Sequence, residues 1–184
     1  MNNEPRRATG AVAGSVLFAI CVSFGCYNTR DFKGAGPALD HGLLTCPRYQ
    51  APVGLVPLNA EGSYEFQFSG LPDENMILQM HVPMGPDATT DEFEHLSTTF
   101  VATIVDDSGD QVCAAEGSPQ GKLSGDRWVL MSSATVAAYW HDSCTGLRFA
   151  RDRKYTLRLQ LRDVDAKSPA VPMNLMLEGG GYCL

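Results

Sequence analysis

The segment Lys154–Arg162 constrains the fold of this chain more than any other. Its nine residues, KYTLRLQLR, alternate between polar and apolar side chains without exception. Because successive side chains of a β-strand point to opposite faces, this period of two predicts a strand with one buried and one solvated face. Strands of that kind are typical of antiparallel sheets, which can leave one face in water.

Further segments with alternation, or with β-branched and aromatic residues, predict more strands. They are Tyr64–Phe68, Met76–Val82, Thr98–Asp106, Gln111–Ala115, Arg127–Ser132, Thr135–Trp140 and Pro172–Glu178. Turn residues separate them, and the chain contains 18 Gly and 11 Pro. About eight strands with short turns and almost no helical pattern predict an all-β fold, a two-sheet antiparallel β-sandwich of jelly-roll or immunoglobulin-like type.

The N-terminal segment has the pattern of a secretory signal. Arg6 and Arg7 precede the apolar stretch Ala11–Gly25, which is too short to span a bilayer comfortably. Gly25 is followed by Cys26, and this junction resembles the signal of bacterial lipoproteins, in which that Cys is diacylated and becomes the new N-terminus. The resemblance covers residues 1–26 only, and it implies that Cys26 is the lipidation site. Cleavage by ordinary signal peptidase and a retained anchor are the alternatives.

The signal divides the chain into three parts. Residues 1–25 are expected to be the signal peptide, 26–52 the lipidated N-terminus and a tether rich in Gly, Pro and polar residues, and 53–184 the β-sandwich domain. This organisation predicts a lipid-anchored protein of the bacterial cell envelope that faces the periplasm. Tyr27 stands where lipoprotein sorting would use Asp for inner-membrane retention, so the outer membrane is expected rather than the inner.

The cysteines agree with export. Of the 6 Cys, Cys21 lies inside the signal and Cys26 is the acylation candidate. The four that remain allow three pairings, as expected of a disulfide framework in an oxidising compartment. We expect Cys113 to pair with Cys144 and Cys46 with Cys183. A zinc site is the rival, but no CxxC or CxxH spacing supports it.

Charge excludes two classes of partner. The chain has 14 Lys and Arg against 21 Asp and Glu, a net charge of -7. A nucleic-acid binder normally needs a basic surface, so no nucleic-acid partner is expected. Attachment to anionic lipid through charge alone is excluded for the same reason.

No sequence motif predicts an enzyme. His141, Asp142, Ser143 and Cys144 contain the residue types of a nucleophilic triad, but side chains adjacent in an extended chain point to opposite faces. The GxSxG motif is absent. The four histidines have no HxH or HExxH spacing, so neither a catalytic role nor a cofactor is expected.

Two weaker candidates for ligand binding remain. Asp106, Ser108 and Asp110 alternate like calcium ligands, although a hairpin turn explains the same residues. The aromatic residues Trp128, Tyr139 and Trp140 would stack on a sugar ring if they are exposed, whereas burial in the core would remove that role.

These observations lead to two main functional hypotheses, and an enzyme whose residues converge only in three dimensions is a third. The first is a non-enzymatic, membrane-anchored envelope lipoprotein whose acidic β-sandwich binds a protein partner, for example as an inhibitor or immunity protein against a basic toxin or hydrolase. An even spread of acidic residues would count against that inhibitor version. The alternative is a carbohydrate- or calcium-dependent ligand-binding module.

Overall fold

The computed structural model describes residues 29–41, 48–81, 96–118, 123–124, 127–132, 141–142, 144, 146–168, 170 and 172–180. The strands within these ranges are β1 (Leu39–His41), β2 (Arg48–Pro57), β3 (Gly62–Ser69), β4 (Met76–His81), β5 (Thr99–Asp106), β6 (Gln111–Gly117), β7 (Leu123–Ser124), β8 (Arg127–Ser132), β9 (His141–Asp142), β10 (Lys154–Arg162) and β11 (Pro172–Gly180). Over the same ranges there is no helix of the length and apolarity needed to cross a membrane.

The strands form two antiparallel sheets, which confirms the predicted two-sheet β-sandwich. One sheet has the order β1-β2-β11-β4-β8-β7 and the other the order β3-β10-β5-β6-β9. Strand β10 lies between β3 and β5, with Leu157 opposite Phe66 on one side and Ile104 on the other. The alternation predicted for this strand is confirmed. The buried side chains are Tyr155, Leu157, Leu159 and Leu161, and the side chains between them face outwards.

The core fills the space between the sheets. Burying each large aliphatic side chain there contributes about 1.5–3 kcal/mol relative to leaving it in water. Core residues contributed by the six-stranded sheet include Val56, Leu78, Met80, Trp128, Leu175 and Leu177, and those of the five-stranded sheet include Phe68, Phe100, Ile104, Tyr155, Leu157 and Leu159.

The domain begins earlier than the sequence suggested. Residues 29–41 and 48–52, expected to form a tether, belong to the folded domain. Phe32 is buried, Lys33 pairs with Ser69, and the Ala35 amide donates to the Pro52 carbonyl. The expected boundary at residue 53 therefore falls inside β2.

Strand β2 was concealed by its composition. Pro and Gly within RYQAPVGLVP are typical of a linker, but here β1 covers only Arg48–Gln50 of this strand. Pro52 lies beyond the residues of β2 that pair with β1. Its missing N–H therefore costs no hydrogen bond to β1. The other side of β2 pairs with β11 from Arg48 to Pro57. The predicted strand at Thr135–Trp140 lies outside the described residues.

A disulfide ties the edge of the five-stranded sheet together. Cys113 of β6 is bonded to Cys144, which follows β9, with a Cα–Cα distance of 4.8 Å and both residues fully buried. This is the first of the two expected pairs. Cys46 and Cys183 lie outside the described residues, as do Cys21 and Cys26.

Candidate functional site

The weak calcium candidate is a hairpin turn. Asp106 ends β5 and Gln111 begins β6, and the Asp106 Oδ1 accepts hydrogen bonds from the Ser108 and Asp110 amides at 2.9 and 3.1 Å. The Asp106 Oδ2 accepts from Arg153 Nη1 at 2.9 Å. Gly109 adopts a φ of 88°, which favours glycine. The Asp106 carboxylate is thus already used by the turn, and the hairpin alternative explains these residues.

Of the aromatic candidates, Trp128 lies in the core. Its side chain is 1% exposed, and its ring packs edge-on against Phe100 with centroids 5.3 Å apart. A sugar ring has no access to the indole face there, so Trp128 follows the alternative of burial in the core, which removes its stacking role. Tyr139 and Trp140 lie outside the described residues.

In the His141–Cys144 segment, the structure describes the β9 backbone and the disulfide of Cys144. His141 and Asp142 form β9, which pairs with Glu116 and Ala115 of β6, and Cys144 is committed to the disulfide. Ser143 lies outside the described residues. In the described ranges, no group of three or more His, Cys, Asp or Glu residues is arranged to hold a metal ion.

A polar cluster that the sequence did not predict lies on the outer face of the six-stranded sheet. The outer polar cluster consists of Gln50, Gln79, His81, Arg127 and Glu178, from β2, β4, β8 and β11. Glu178 is its centre: Oε1 accepts from Gln50 Nε2 and lies 3.3 Å from His81 Nε2, while Oε2 accepts from Arg127 Nη1 at 3.1 Å. The residues of the cluster come from four strands, so no local sequence motif could have predicted it.

The surroundings of Glu178 decide its protonation state. Burial alone would raise the pKa of this carboxyl group, but the adjacent His81 imidazole, the charge of Arg127 and the hydrogen bond from Gln50 together outweigh burial and lower it. Gln79, which is 3% exposed, adds a weaker polar interaction, although its Nε2 makes no hydrogen bond of ordinary geometry. Glu178 is therefore ionised at neutral pH, where it accepts hydrogen bonds and links strands rather than donating a proton.

Asp165, in the segment after β10, also lies in a hydrogen-bonded turn. Asp165 accepts hydrogen bonds from the Lys167 and Ser97 amides, and these bonds lower the pKa of its carboxyl group. The Asp165 amide donates to Thr98 Oγ1 at 3.1 Å. These contacts fasten the loop before β11 to the start of β5.

In the described part of the chain, the long edge of the five-stranded sheet is open. Among the described strands of eight or more residues, β3 alone has no strand along one of its sides. At one end, the Ser69 amide and carbonyl bond to Lys33, so the backbone groups of Ser69 point away from β10. Because alternate residues of a strand present their backbone groups to the same side, those of Ser63, Glu65 and Gln67 also face this open edge.

Two aromatic rings lie along the open edge. Tyr64 and Phe66 face the core side of β3, yet both are only half-buried. Phe66 lies so close to Gly54 of β2 that a Cβ on Gly54 would be 2.1 Å from the ring. The edge therefore combines unpaired backbone groups with partly exposed aromatic surface.

The outer face beside this edge carries charges of both signs. On β3 and β10 the charged residues are Glu65, Lys154, Arg158 and Arg162, three cations and one carboxylate. Arg158 Nε donates to Glu65 Oε2 at 3.2 Å, and Arg162 Nη2 donates to Gln160 Oε1 at 2.6 Å. The register that pairs Leu161 with Gly62 brings Glu61 across from Arg162. Lys33 adds a further positive charge at the Ser69 end of the edge.

Comparisons with known proteins supply no relative from which a function could be transferred: the chain matches no family model, no curated protein and no solved structure.

Proposed function

We propose that this chain is a lipid-anchored protein of the bacterial cell envelope, acylated at Cys26, whose β-sandwich binds a protein partner without catalysing a reaction. The observation that carries the binding role is the open edge of β3. Unpaired strand edges are a liability that most proteins cover or interrupt, so a strand of eight residues with one side unpaired among the described residues is expected to have a use. The outer membrane, with the domain in the periplasm, is the proposed location.

Export has independent support from the Cys113–Cys144 disulfide. Disulfides persist in the periplasm and outside the cell, and they are rare in the reducing cytosol. In the chain-entropy model, closing a loop with a sequence separation of 31 stabilises the fold by about 3–4 kcal/mol. The disulfide therefore supports export to the periplasm, the compartment that the N-terminal signal predicts.

The inhibitor version of the proposal receives less support. Described carboxylates occur at both ends of the sandwich, with Asp106 and Asp110 at one end and Glu61, Asp163 and Asp165 at the other. Several are paired with arginines, as Asp106 is with Arg153 and Glu178 with Arg127. A basic toxin would find no single acidic face among the described residues, so binding through the β3 edge is the preferred version.

Metabolic labelling with an alkyne analogue of palmitate tests the anchor. The full-length chain expressed in a bacterial host should incorporate the label and sediment with membranes. Cys26→Ser should lose both properties, whereas the matched control Cys21→Ser, within the same signal, should keep them. Labelling that persists in Cys26→Ser would overturn lipidation at this residue.

Cross-linked pull-down from native membranes, read by mass spectrometry, tests the binding role. The wild-type protein should recover one partner in stoichiometric amount, and Cys26→Ser should recover less of it because the soluble form is not held beside the membrane. An empty pull-down with the wild-type protein would count against the proposed function.

A further inference from the structure

We propose that the Cys113–Cys144 disulfide is a redox switch, which holds β9 on the edge of the five-stranded sheet and releases it when a dithiol reduces the bond. The released state keeps both sheets folded and loses the pairing of β9 with β6. This inference goes beyond the proposed function, because it concerns the bond and the sheet edge and does not depend on the partner.

The disulfide lies directly across the β6–β9 pair. Ala115 of β6 is opposite Asp142 of β9, so continuing the antiparallel register along both strands brings Cys113 opposite Cys144. Their Cα–Cα distance of 4.8 Å is close to the ~4.5 Å of directly opposed residues that exchange no backbone hydrogen bonds. The disulfide thus joins two adjacent strands at a position where their backbones do not bond to each other.

Within the described part of the chain, the backbone pairing of β9 is short. This strand has two residues, and its register with β6 consists of two residue pairs. On its other side, β6 pairs with β5 over six residue pairs. Because two pairs supply few hydrogen bonds, we expect the attachment of β9 to depend on the disulfide, whereas the attachment of β6 to β5 does not.

The core limits how much of the chain opens. Cys113 is fully buried, and its Sγ lies 3.4 Å from Met131 Sδ of β8, in the opposite sheet. Beyond Cys144, the ring of Phe149 is fully buried and packs edge-on against Tyr155, with centroids 4.7 Å apart. We therefore expect Cys144 to move away from the sheet edge while Cys113 and Phe149 stay packed in the core.

Reduction proceeds by thiol–disulfide exchange at this edge. Both cysteines are fully buried in the closed state, so the reductant reacts only when β9 opens. A thiolate of the dithiol then attacks Cys144 Sγ, the S–S bond breaks, and Cys113 leaves as a thiolate that takes up a proton. The second thiolate of the reductant displaces Cys144, which is protonated in turn, and closes the reductant's own disulfide. Two electrons and two protons thus pass from the dithiol to the two cysteines.

The first test measures how the bond is reduced in the folded protein. The full-length protein in detergent is treated with dithiothreitol at several urea concentrations below its unfolding midpoint, and mass spectrometry counts the alkylated thiols at Cys113 and Cys144. Local opening exposes little surface, so the rate of reduction should be almost independent of urea. A rate whose logarithm rises with urea as steeply as global unfolding does would overturn the inference, because the bond would then open only when the whole domain unfolds.

Alternate amides of β6 report the release of β9. Because the backbone groups of Cys113 face away from β9, those of Ala115 do so too, whereas those of Ala114 and Glu116 face β9. Reduction should accelerate hydrogen exchange of the Ala114 and Glu116 amides by about tenfold or more and leave the Ala115 amide, on the β5 side, protected. NMR on the wild-type protein follows each amide. Acceleration of all three amides, or of none, would overturn the inference.

A variant without the bond gives the same measurement without a reductant. Cys113→Ala combined with Cys144→Ala should show the exchange pattern of the reduced protein, and thermal unfolding checks that it folds. Met131→Leu is the matched control, since it changes the neighbouring core side chain and keeps the bond, so its Ala114 and Glu116 amides should exchange like those of the wild type. Protection of both amides in the double variant would show that backbone pairing alone holds β9, which would overturn the inference.

Discussion

Glu178 shows how a single side chain can make the outer face of a sheet sensitive to acid. Its carboxylate receives hydrogen bonds from Gln50 and Arg127 and lies against His81, with the side chain 15% exposed. Folding lowers the pKa of Glu178 from its ordinary value of 4.5. The stabilisation that it supplies is therefore complete above that ordinary value and is lost as the pH falls through the lower value of the folded state.

The first prediction concerns Glu178→Gln. At neutral pH this variant should lose about 1–3 kcal/mol of unfolding free energy, because hydrogen bonds to an ionised group contribute more than neutral ones. The difference from the wild type should shrink on going from about pH 5 towards about pH 3. Urea unfolding across that range measures it.

Glu65→Gln is the matched control for this prediction. Its carboxylate also pairs with an arginine, but both side chains are more than half exposed. Exposed ion pairs contribute about 0–1 kcal/mol, so this variant should remain close to the wild type. A constant difference between Glu178→Gln and wild type down to pH 3 would contradict the assigned pKa direction.

At the scale of elements, the β5–β6 hairpin depends on one aspartate. Asp106 accepts two backbone hydrogen bonds within its own turn and pairs with Arg153 of the segment before β10. Asp110 takes part in the turn through its backbone, and its side chain is exposed. The two residues look alike in sequence but contribute differently to the fold.

The second prediction uses that difference. Asp106→Ala should lower the unfolding free energy by about 1–3 kcal/mol, since it removes the acceptor of two turn amides and of Arg153. Asp110→Ala should change it by no more than about 0.5 kcal/mol. Millimolar Ca²⁺ should leave the wild-type Tm unchanged in thermal unfolding. A Ca²⁺-dependent rise in Tm that both variants abolish would instead restore the calcium hypothesis.

Strands with strong alternation were predictable from sequence, and strands defined by their neighbours were not. Lys154–Arg162 has the predicted bounds because period-two burial is a local property. Arg127–Ser132 also has the predicted bounds, although its last three residues are all buried. β2 was not predicted because Pro52 and Gly54 are unusual inside a strand. The arrangement of the strands that flank β2 is what allows them there. The burial of Trp128 and the assembly around Glu178 depend on residues distant in the chain, which no local pattern records.

At the scale of the whole molecule, the register of β2 and β11 bears on the second expected disulfide. Arg48, the first residue of β2, lies opposite Gly180, the last residue of β11. Cys46 is two residues before Arg48 and Cys183 is three residues after Gly180. The strand ends nearest in sequence to Cys46 and Cys183 therefore lie opposite one another.

The third prediction follows from that register. Peptide mapping of the unreduced protein by mass spectrometry should recover a Cys46–Cys183 linked peptide beside the Cys113–Cys144 one, with the reduced protein as the control. Of the three pairings that four cysteines allow, the other two would contradict the prediction. Free thiols at Cys46 and Cys183 would contradict it as well.

The early start of the fold has a consequence for how the protein would stand on a membrane. Thr29 is buried and accepts a hydrogen bond from the Phe32 amide, next to the Lys33–Ser69 bridge. Two residues, Tyr27 and Asn28, separate Cys26 from Thr29. The three Cα–Cα steps between Cys26 and Thr29 span about 10 Å when the chain is fully extended. A lipid on Cys26 would thus hold the Ser69 end of β3 close to the bilayer, at a distance comparable to the thickness of the lipid headgroup layer. A protein that binds there would itself have to reach the membrane surface.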